Sequence, residues 1–563
     1  MEGAQDPPQT GAVRVIPLGG VGEFGKNAIV LEYGNDLLLL DCGQMFPETH
    51  MFGVDTVIPD FDYVLRNRDR LRAIVLTHGH EDHIGALAYL LRQLGSRLET
   101  PVLGSPLAIE LVRSKLRELN VEGNGRLHSV EAGARHVLGA IDVQFLAVAH
   151  SMPQAMALVI RLPEGLVVHT GDYKLEATGH EEADLLSLAP RLGRESIMLL
   201  LADSTNIDRE GRAPSEDLVR EGLGQVMAEA DRTIIMATFS SNLHRVQSVI
   251  DLAQALGRQV AICGFSLERN FEIATRMGLI QRHHDVVCPL GHVVRLPPHE
   301  RCIVTTGTQG EPLSALSRLS LNNFKGYRIQ PGDLVVLSSR IIPGNEKSIY
   351  NMINHFYRHG ARVVTENDAM VHGSGHAYRD EMAWLIQQLQ PHYFMPIHGE
   401  LRQLIRHREL AIALGLEPQR CFVVENGGQL ELEPRQARTL PTAWAGQVLV
   451  DGKVMGHVDE IILRDRRHLS ADGMITVILV IDQKSHSIIA GPDIVSRGFV
   501  VVDDNTDLIE DCKRVVVEAF EACDTESQEE WEVVKLAVRK ALRKFLRQQT
   551  DRYPVILPVV VEI

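Results

Sequence analysis

One seven-residue segment restricts the possible folds and chemistries of this chain more than any other feature. The apolar run at residues 71–76 ends abruptly in Thr77-His78-Gly79-His80-Glu81-Asp82-His83. A short apolar run of this kind is typical of a buried strand, and loops that follow strands often present active-site groups. Neutral imidazoles and carboxylates are ligands that zinc, manganese and iron prefer. A solvated loop has no need of so many metal-competent side chains, so H-x-H-x-D-H predicts a metal centre at the end of a strand.

Other apolar runs also end in a single polar residue that can bind or support a metal. The residues at these ends are His150, Asp172 and His398. A lone histidine at a strand end is usually structural, and we interpret His169 in that way. Several apolar runs end in such a residue, as the run before the first motif does. We therefore predict that these side chains converge at one edge of a sheet.

From about residue 214 the sequence alternates between strand and helix patterns. The segments that carry this alternation are strands at 233–238, 259–263, 301–305 and 333–337 and a helix at 243–256. Such alternation predicts βαβ units around a parallel sheet. The Pro-containing segment 433–446 is irregular and predicts a linker, and the remaining residues predict a last small α/β unit.

The last predicted helix carries both a basic and an apolar face. Its basic residues are Lys535, Arg539, Lys540, Arg543, Lys544 and Arg547. Its apolar stripe is predicted to contain Val533, Leu536, Leu542 and Phe545. A solvated basic face opposite the stripe is the favoured interpretation, and a contact with nucleic acid is the alternative.

Composition and charge limit the compartments and partners of the chain. The seven cysteines are scattered and never in C-x-x-C spacing, which favours free thiols in a reducing compartment. Residues 1–10 are polar and Pro-rich without a signal pattern, so we expect a disordered tail and a cytoplasmic protein with no membrane partner. The net charge of −16 argues against binding of nucleic acid over the whole surface. It is compatible with nucleic acid that enters a local channel.

The polar strand ends together resemble the ligand pattern of the metallo-β-lactamase superfamily. The resemblance implies two divalent ions, zinc and/or manganese, with magnesium as a further candidate. One ion would be held by His78, His80, His150 and Asp172, and the other by Asp82, His83, Asp172 and His398. Asp41 would orient a ligand histidine, since a ligating imidazole needs a partner for its other nitrogen. Two ions about 4 Å apart can activate a shared water and suit phosphodiesters, lactams and thioesters alike.

About 225 residues separate Asp172 from His398, and most of them predict an extra α/β domain. It resembles the insertion of the β-CASP nucleases, in which an extra α/β domain caps the metal site. Asp203 in Asp203-Ser204-Thr205 resembles the first acidic motif of that group, and His376 in Ser374-Gly375-His376 resembles its second. His398 resembles the third motif of the RNA-cleaving branch. The resemblance implies that Asp203, His376 and Asp82 are catalytic.

Longer stretches resemble bacterial ribonuclease J, and together they extend over essentially the whole chain. They are residues 238–245, 306–312, 338–346, 372–376 and 496–499. Free amides between a strand and a helix attract anions, and a Gly-rich loop can approach a phosphate closely. We therefore predict phosphate contacts from Ser240, His372, Ser374, Gly375 and His376. A plain turn is the alternative for Ser240, and a structural role is the alternative for His372.

The predicted fold class is α/β. A metallo-β-lactamase αββα sandwich would carry an inserted β-CASP α/β domain and a small C-terminal α/β domain. The predicted boundaries are 1–205 and 366–432 for the two parts of the sandwich, 206–365 for the insert, 433–449 for the linker and 450–563 for the C-terminal domain.

The resemblance implies a metal-dependent ribonuclease that acts on single-stranded RNA in rRNA processing and mRNA decay. It would degrade RNA from 5′ to 3′, prefer 5′-monophosphate ends and also cut internally. A homodimer or homotetramer and other RNA-decay proteins are the implied partners. One alternative is a thioester or lactam hydrolase of the same superfamily, which would not need the insert. The other is an inactive RNA-binding scaffold, which would lack ligands.

Overall fold

The computed structural model describes most of the chain. The described residues are 8, 11–48, 50–95, 100–121, 126–179, 183–281, 283–342, 344–433, 436–442, 445–452, 454–456, 460–482, 485, 487–502, 504–523 and 531–563. The predicted N-terminal tail lies outside them except for residue 8. The chain divides into two compact units, Met1–Met45 with Ile58–Gln447 and Phe46–Val57 with Val448–Ile563. No helix within the described residues is long and apolar enough to cross a membrane.

The strands and helices are numbered in chain order. Up to Asp203 they are β1 (Val13–Gly19), β2 (Val21–Gly22), β3 (Ala28–Tyr33), β4 (Asp36–Leu40), β5 (Thr56–Pro59), α1 (Asp62–Arg66), β6 (Leu71–Val75), α2 (Glu81–Ile84), α3 (Leu87–Leu94), β7 (Val102–Gly104), α4 (Pro106–Glu118), β8 (Leu127–Ser129), β9 (Arg135–Leu138), β10 (Ile141–Ala147), β11 (Met156–Leu162), β12 (Gly165–His169), α5 (Leu185–Leu192) and β13 (Ile197–Asp203). The insert then contributes α6 (Glu216–Ala228), β14 (Ile234–Ala237), α7 (Leu243–Ala255), β15 (Gln259–Cys263), α8 (Phe265–Arg276), α9 (Leu290–Val293), β16 (Arg301–Thr305), α10 (Ala315–Ser320), β17 (Leu334–Leu337), α11 (Glu346–Arg358) and β18 (Arg362–Val364).

The remaining elements belong to the return of the chain and to its C-terminal part. The returning elements are α12 (Arg379–Leu389), β19 (Tyr393–Ile397), β20 (Gly399–Glu400), α13 (Leu401–Ala413), β21 (Gln429–Glu433) and β22 (Gln436–Leu440). The last elements are β23 (Gln447–Asp451), β24 (Val454–Met455), α14 (Glu460–Asp472), β25 (Met474–Ile481), β26 (Ile488–Arg497), α15 (Thr506–Glu521), α16 (Trp531–Thr550) and β27 (Val555–Glu562).

Two sheets in the larger unit pack face to face. Their strand orders are β22-β21-β1-β3-β4-β6-β7-β8 and β19-β13-β12-β11-β10-β9. Alternate residues such as Leu38 and Leu40 on one sheet and Phe145 and Leu158 on the other fill the core between them. Helices α5, α12 and α13 cover the far side of the second sheet, and α4 contacts β7 and β8 of the first. The predicted αββα sandwich is confirmed.

The strands that carry the predicted ligands run parallel within each sheet. In the first sheet β4 pairs with β6, so that Leu40 lies opposite Val75. In the second sheet β13 pairs in parallel with both β12 and β19, and Asp203 lies opposite Ile397. Carboxyl ends of parallel strands meet at one edge of a sheet. The polar residues that follow these strands are therefore brought together from both sheets.

The insert is built on a parallel sheet, as its strand–helix alternation predicted. The strand order is β15-β16-β14-β17-β18, and every pair is parallel. The bounds of β15 and β16 are those predicted from the sequence. Because β14 and β17 are neighbours, the loops with Ser240 and Ser338 leave the same edge of the sheet.

The segment predicted as a linker is partly a strand, so the prediction of an irregular structure there is wrong. Strand β22 pairs antiparallel with β21 at the edge of the first sheet, and Arg438 donates to Glu431 at 2.9 Å. An edge strand with mostly exposed side chains lacks the apolar alternation by which strands are recognised. The linker at 433–449 and the other domain boundaries stay predictions.

The C-terminal unit has a core of its own. On β25, Ile475, Val477 and Leu479 face helices α15 and α16, and β26 and β27 flank this strand. The buried stripe on α16 contains Val534, Val538, Leu542 and Leu546. Of the predicted stripe, Leu542 is buried and Phe545 packs against the core, but the prediction of Leu536 is wrong, since it is 48% exposed. Successive residues of a helix are rotated by about 100° around its axis. Because apolar residues also occur outside the buried face, the sequence pattern alone did not identify all of the buried positions.

None of the seven cysteines forms a disulfide, as the scattered spacing predicted. Cys42, Cys263, Cys302, Cys421 and Cys512 are buried. Burial raises the pKa of Cys263 and Cys302 to about 12, so these thiols are inert packing groups.

Candidate metal centre and active site

Backbone contacts fix the H-x-H-x-D-H segment. Cys42 N donates to His83 O at 2.7 Å, and Asn27 N donates to Asp82 O at 2.9 Å. Gly43 packs so closely against the start of α2 that a Cβ atom would lie 1.6 Å from Asp82 O. The segment is thereby attached to the chain just before β3 and just after β4, which sets the direction of its side chains.

The first predicted ligand set forms one cluster. Ligand atoms of His78, His80, His150 and Asp172 all lie within 4.8 Å of one another. His80 Nδ1 is 2.9 Å from His78 Nε2 and 3.1 Å from His150 Nε2. Asp172 Oδ2 is 3.6 Å from His78 Nε2 and 3.8 Å from His150 Nε2. A tetrahedral ion bound at about 2.0–2.1 Å needs ligand atoms about 3.3 Å apart, so the spacing suits a coordination shell.

The second predicted set lies beside the first and shares Asp172 with it. Asp82, His83, Asp172 and His398 also offer ligand atoms within 4.8 Å of one another. Asp172 Oδ2 is 3.3 Å from His83 Nε2, and Asp172 Oδ1 is 3.6 Å from His398 Nε2. Asp82 Oδ2 is 3.6 Å from His83 Nε2 and 3.4 Å from His398 Nε2. The Asp172 carboxylate therefore faces both sets.

Four of these histidines are anchored through Nδ1, which leaves Nε2 directed at the cluster. His83 Nδ1 donates to Asp41 Oδ2 at 2.8 Å. The other anchors are Thr77 Oγ1 for His78 at 3.0 Å, Gly375 O for His150 at 2.7 Å and Thr205 Oγ1 for His398 at 2.7 Å. Each threonine donates its own proton to a carboxylate, Asp41 or Asp203, and so accepts from the imidazole. Such partners fix the tautomer and orientation of a ligand histidine.

The proton positions in the first cluster fit a bound cation. The rings of His78 and His150 carry their protons on Nδ1, so their Nε2 atoms present lone pairs. His80 Nδ1 carries at most one proton and can donate to only one of these two atoms. At the other contact, near 3 Å, the lone pairs of two ring nitrogens face and repel each other. A cation bound between the two nitrogens would remove this repulsion. The donor set and its anchors therefore fit divalent metal ions.

The electrostatics of the two clusters differ. Burial and neighbouring imidazoles hold the pKa of His78 and His150 well below the usual value, and burial lowers the pKa of His80 to about 4. Burial also opposes protonation of His83 and His398, but Asp172 and other carboxylates outweigh it and raise the pKa of both well above normal. Metals bind unprotonated imidazole, so metal binding would release protons from the second cluster.

Asp203 and His376 form a hydrogen-bonded pair next to the metal ligands. His376 Nδ1 is 2.7 Å from Asp203 Oδ2, and the aspartate is buried. The centre of the His376 ring is 5.0 Å from that of His150 and 5.4 Å from that of His398. Burial opposes ionisation of both partners, but their attraction lowers the pKa of Asp203 and raises that of His376. The pair is a carboxylate with an imidazolium whose Nε2 is not committed to Asp203.

Gly375 lies against His150 and has no space for a side chain. A Cβ atom there would lie 2.8 Å from His150 Nδ1 and 2.7 Å from Ser151 N. Together with the hydrogen bond from its carbonyl to His150, this gives Gly375 a part in positioning a metal-site histidine. Its predicted contact with phosphate stays a prediction.

The predicted phosphate loop leads directly into His376. Ser374 Oγ accepts hydrogen bonds from Asn206 Nδ2 at 2.8 Å and from His376 N at 3.2 Å. Burial, with the charges of nearby arginines, lowers the pKa of His372 to about 3, so its ring is neutral. His372 Nδ1 is buried and has no hydrogen-bond partner among the described residues.

Ser240 is not joined to this cluster by any hydrogen bond within the described part of the chain. It lies beyond the end of β14, its side chain is partly exposed, and its backbone oxygen accepts from Asn270 Nδ2 at 3.0 Å. It shares the sheet edge with the Ser338 loop, and its predicted contact with phosphate stays a prediction.

His169 holds the turn before Asp172. Its Nδ1 accepts from Gly171 N at 3.0 Å, and burial lowers its pKa to about 4. The ring is outside both ligand groups, which agrees with the structural interpretation.

The sequence prediction missed three polar residues that contact the site. Thr77 and Thr205 anchor ligand histidines, and Asn206 bonds to Ser374 from 168 positions away. The one available signal was that each lies within three residues of a predicted site residue, Thr77 beside His78 and Thr205 and Asn206 shortly after Asp203. Thr77 is adjacent to His78, but Thr205 and Asn206 contact His398 and Ser374, which are far away in sequence, so spacing alone does not identify those two contacts.

Family models match four parts of the chain. A model described as "Metallo-beta-lactamase superfamily" matches residues 21–202, and "Ribonuclease J, beta-CASP domain" matches 231–356. "Zn-dependent metallo-hydrolase RNA specificity domain" matches 360–423, and "Ribonuclease J C-terminal domain" matches 461–563. The matches follow the predicted order of the first part of the sandwich, the insert, the second part of the sandwich and the C-terminal domain.

Whole-chain relatives agree with these matches. Ribonuclease J 2 of Staphylococcus aureus is 35% identical over 553 residues, which are 98% of both chains. Ribonuclease J 2 of Staphylococcus saprophyticus is also 35% identical over 98% of both chains. A solved structure of a protein of unknown function from Enterococcus faecalis shares the fold with a TM-score of 0.53 at 17% identity, covering 75% of this chain and all of that one. The chain therefore belongs to the ribonuclease J family, and its domains and ligand clusters are those of a metal-dependent hydrolase acting on RNA.

Proposed function

We propose that this protein is a 5′-to-3′ exoribonuclease that prefers 5′-monophosphate ends and also cuts RNA internally. The observation that carries the proposal is Asp172, whose carboxylate is shared by two ligand sets beside the Asp203–His376 pair. That arrangement suits in-line displacement at a phosphodiester. The relatives named ribonuclease J 2 support RNA as the substrate.

Two divalent ions would be held by the two ligand sets, with Asp172 between them. When bound, they would supply an activated water and offset the negative charge of the phosphate. Imidazole and carboxylate ligands suit zinc and manganese, and magnesium is a weaker candidate because it prefers oxygen ligands.

His376 is the proposed general acid. Asp203 holds its Nδ1, and the ring lies beside the metal ligands, so Nε2 can donate a proton to the leaving oxygen. The raised pKa of His376, which Asp203 causes against the effect of burial, keeps that proton available near neutral pH. Asp82 Oδ2, which lies between His83 and His398, is the proposed acceptor that orients the attacking water.

The loop from His372 to His376 is the proposed site for the 5′-terminal phosphate. The hydroxyl of Ser374 and the backbone next to Gly375 lie one or two residues from His376. A terminal phosphate held there would place the first phosphodiester near the metal ligands, which favours removal of one nucleotide at a time. Ser240, at the edge of the inserted sheet, is proposed to contact the same strand of RNA.

The remaining proposals concern partners and location. Single-stranded RNA is the proposed substrate in rRNA processing and mRNA decay. The protein would act in the cytoplasm as a homodimer or homotetramer, together with other RNA-decay proteins. The finer domain boundaries at residues 205, 365, 432 and 449 are part of this proposal.

A time course with 3′-labelled single-stranded RNA tests the function. The RNA carries a 5′-monophosphate, and the protein is supplied in turn with zinc, manganese and magnesium. Early mononucleotides with a steadily shortening labelled remnant are the expected result. Discrete internal fragments alone would make the protein an endonuclease. No cleavage with any metal, together with turnover of a lactam or thioester, would favour the small-molecule hydrolase.

A further inference from the structure

One buried carboxylate joins three segments of the chain. Glu381 lies in the first turn of α12, and its side chain is buried. Its Oε2 accepts from Tyr378 N at 2.8 Å, as a capping glutamate does. The same atom also accepts from Ala213 N at 2.7 Å, and Oε1 accepts from Leu175 N at 2.8 Å. These two donors are 168 and 206 positions away, so Glu381 does more than cap its own helix.

The three donors belong to segments that meet around the candidate metal centre. One donor follows His376, the proposed general acid, by two residues. Another lies near the start of the insert, just before α6. The third follows Asp172, the carboxylate shared by the two ligand sets, by three residues. Glu381 therefore holds the segment of the general acid, the segment of the shared ligand and the entry to the insert in one place.

Lys174 makes a second connection between the shared-ligand segment and the insert. Its side chain is buried. The Nζ atom lies 2.5 Å from Glu176 Oε2 and 3.6 Å from Glu216 Oε1, and it donates to Pro214 O at 3.4 Å. Removal of one partner from a buried ion pair leaves an uncompensated charge, so the remaining groups must move or take up water. The position of this segment therefore depends on both contacts.

Backbone bonds place the segment 172–175 between two others. Tyr173 O accepts from Ala377 N at 2.6 Å, and Lys174 N donates to Ala149 O at 2.8 Å. These two partners directly adjoin the proposed general acid and one candidate ligand of the first set. A shift of the segment would therefore change the distance between the general acid and the ligands.

We propose that Glu381 and Lys174 are positioning residues that set His376 at the distance from the metal ligands that proton transfer requires. The inference rests on the proposed function. In that reaction water attacks phosphorus, the bond from phosphorus to the 3′ oxygen breaks, and this oxygen takes the proton of His376. A misplacement of about 1 Å can cost such a reaction about 100-fold in rate. Neither residue belongs to a candidate ligand cluster of the described chain, so both act through their neighbours.

Glu381→Gln removes one of the three bonds selectively. An amide offers one acceptor oxygen, and this oxygen can keep the bonds from Ala213 and Tyr378. The amide nitrogen then faces Leu175 N, so that bond is lost while the cap and the link to the insert stay. With metal-loaded full chain and 5′-monophosphate RNA, kcat should fall by about 10- to 100-fold, as expected for the loss of a hydrogen bond to a charged group. KM and bound metal should stay near the wild-type values.

Lys174→Met is the second variant, and it breaks the other connection. It keeps an unbranched side chain in the buried space but removes the charge, so kcat should fall with KM and bound metal unchanged. Asp380→Asn is the matched control for Glu381→Gln. Asp380 lies in the same first turn of α12 and is exposed, so the same exchange of carboxylate for amide should leave kcat unchanged.

A modified RNA separates positioning of the general acid from a merely structural role. In this RNA sulfur replaces the 3′ leaving oxygen of each linkage. A thiolate is a better leaving group than an alkoxide because its thiol is more acidic, so it departs without a proton. Glu381→Gln and Lys174→Met should therefore cleave the sulfur RNA at nearly the wild-type rate. His376→Ala should show the same pattern, with a larger loss on ordinary RNA.

The outcomes distinguish this inference from the proposed function. A wild-type protein that cleaves no RNA would overturn the proposed ribonuclease and the inference with it. Equal losses on both RNAs in His376→Ala would remove the general acid that the two residues are meant to position. If His376→Ala behaves as expected, wild-type kcat in both Glu381→Gln and Lys174→Met would overturn the inference alone. Equal losses on both RNAs in these variants, or loss of bound metal, would do the same. Circular dichroism identifies a variant that does not fold, and the other variant then decides.

Discussion

The two walls of the site are built in different ways. On the metal side, His78, His83, His150 and His398 are buried, and each is fixed through Nδ1 by an anchor. On the phosphate side, Ser374 and Arg340 are partly exposed and depend on one amide, that of Asn206. Under the proposed function, the reaction chemistry would thus be held by many fixed contacts, whereas recognition of the RNA end would depend on a few. Substitutions on the metal side should reduce cleavage of every RNA. Substitutions on the phosphate side should mainly reduce cleavage of RNA with a 5′-monophosphate.

Loss of a ligand should have the largest effect. His150→Ala, or His80→Ala, should reduce cleavage of every RNA by roughly 1,000-fold or more, because several kcal/mol of charge stabilisation depend on the bound ions. Cleavage assays on both 5′ ends, with metal content by mass spectrometry, measure this. Circular dichroism should show an intact fold, and full activity with either variant would remove these residues from the metal site.

Asp203→Asn should cause the next largest loss. The amide keeps the shape but not the charge that raises the pKa of His376, so proton transfer should fall by about 100- to 10,000-fold. Metal content should stay at the wild-type level, which distinguishes this variant from the ligand substitutions. Rates on 5′-phosphate and 5′-hydroxyl RNA should drop together, and a loss of bound metal instead would make Asp203 a part of the metal site.

Removal of an anchor should give an intermediate effect. Thr205→Val deletes the hydroxyl that links His398 to Asp203, and loss of such a partner costs about 10- to 100-fold in metal affinity or activity. Thr205→Ser keeps the hydroxyl and is the matched control. Metal titrations of both variants test the idea, and equal affinities would mean that the anchor does not matter.

Ser374→Ala should have the smallest effect, and this effect should be limited mainly to RNA with a 5′-monophosphate. It removes one donor from the phosphate side, so cleavage of 5′-monophosphate RNA should fall by about tenfold, with a smaller change for 5′-hydroxyl RNA. The pair of kcat/KM values measures it. An equal loss on both RNAs would mean that Ser374 supports the metal side. The proposed difference between the two walls of the site would then be wrong.

The candidate ligands could be predicted from the sequence because they lie within a short segment after the end of an apolar strand. His78, Asp172 and His398 follow strands β6, β12 and β19, and parallel pairing brings the ends of neighbouring strands to one edge of each sheet. Strand β10, which precedes His150, is antiparallel to β11, as β12 is, so β10 and β12 end at the same edge. The inserted sheet was predictable for the same reason, since β15 and β16 are regular buried strands.

Apart from Asp41, the anchors could not be predicted, because most of them depend on contacts between distant segments. Thr205 reaches His398 over 193 positions, and His150 reaches Gly375 over 225. Neither contact leaves a periodic pattern in the sequence. Strand β22 was missed for a related reason, since pairing with β21 and not apolar alternation holds it in place.

A metal titration of RNA cleavage tests the central claim most directly. The protein is stripped with a chelator, and zinc or manganese is added back in counted equivalents while cleavage of 5′-monophosphate RNA and bound metal are measured. The shared Asp172 predicts that activity is restored only as the second ion binds, and that Asp172→Asn binds fewer ions and stays inactive. Full cleavage by the stripped protein, or by Asp172→Asn, would contradict the paired metal centre.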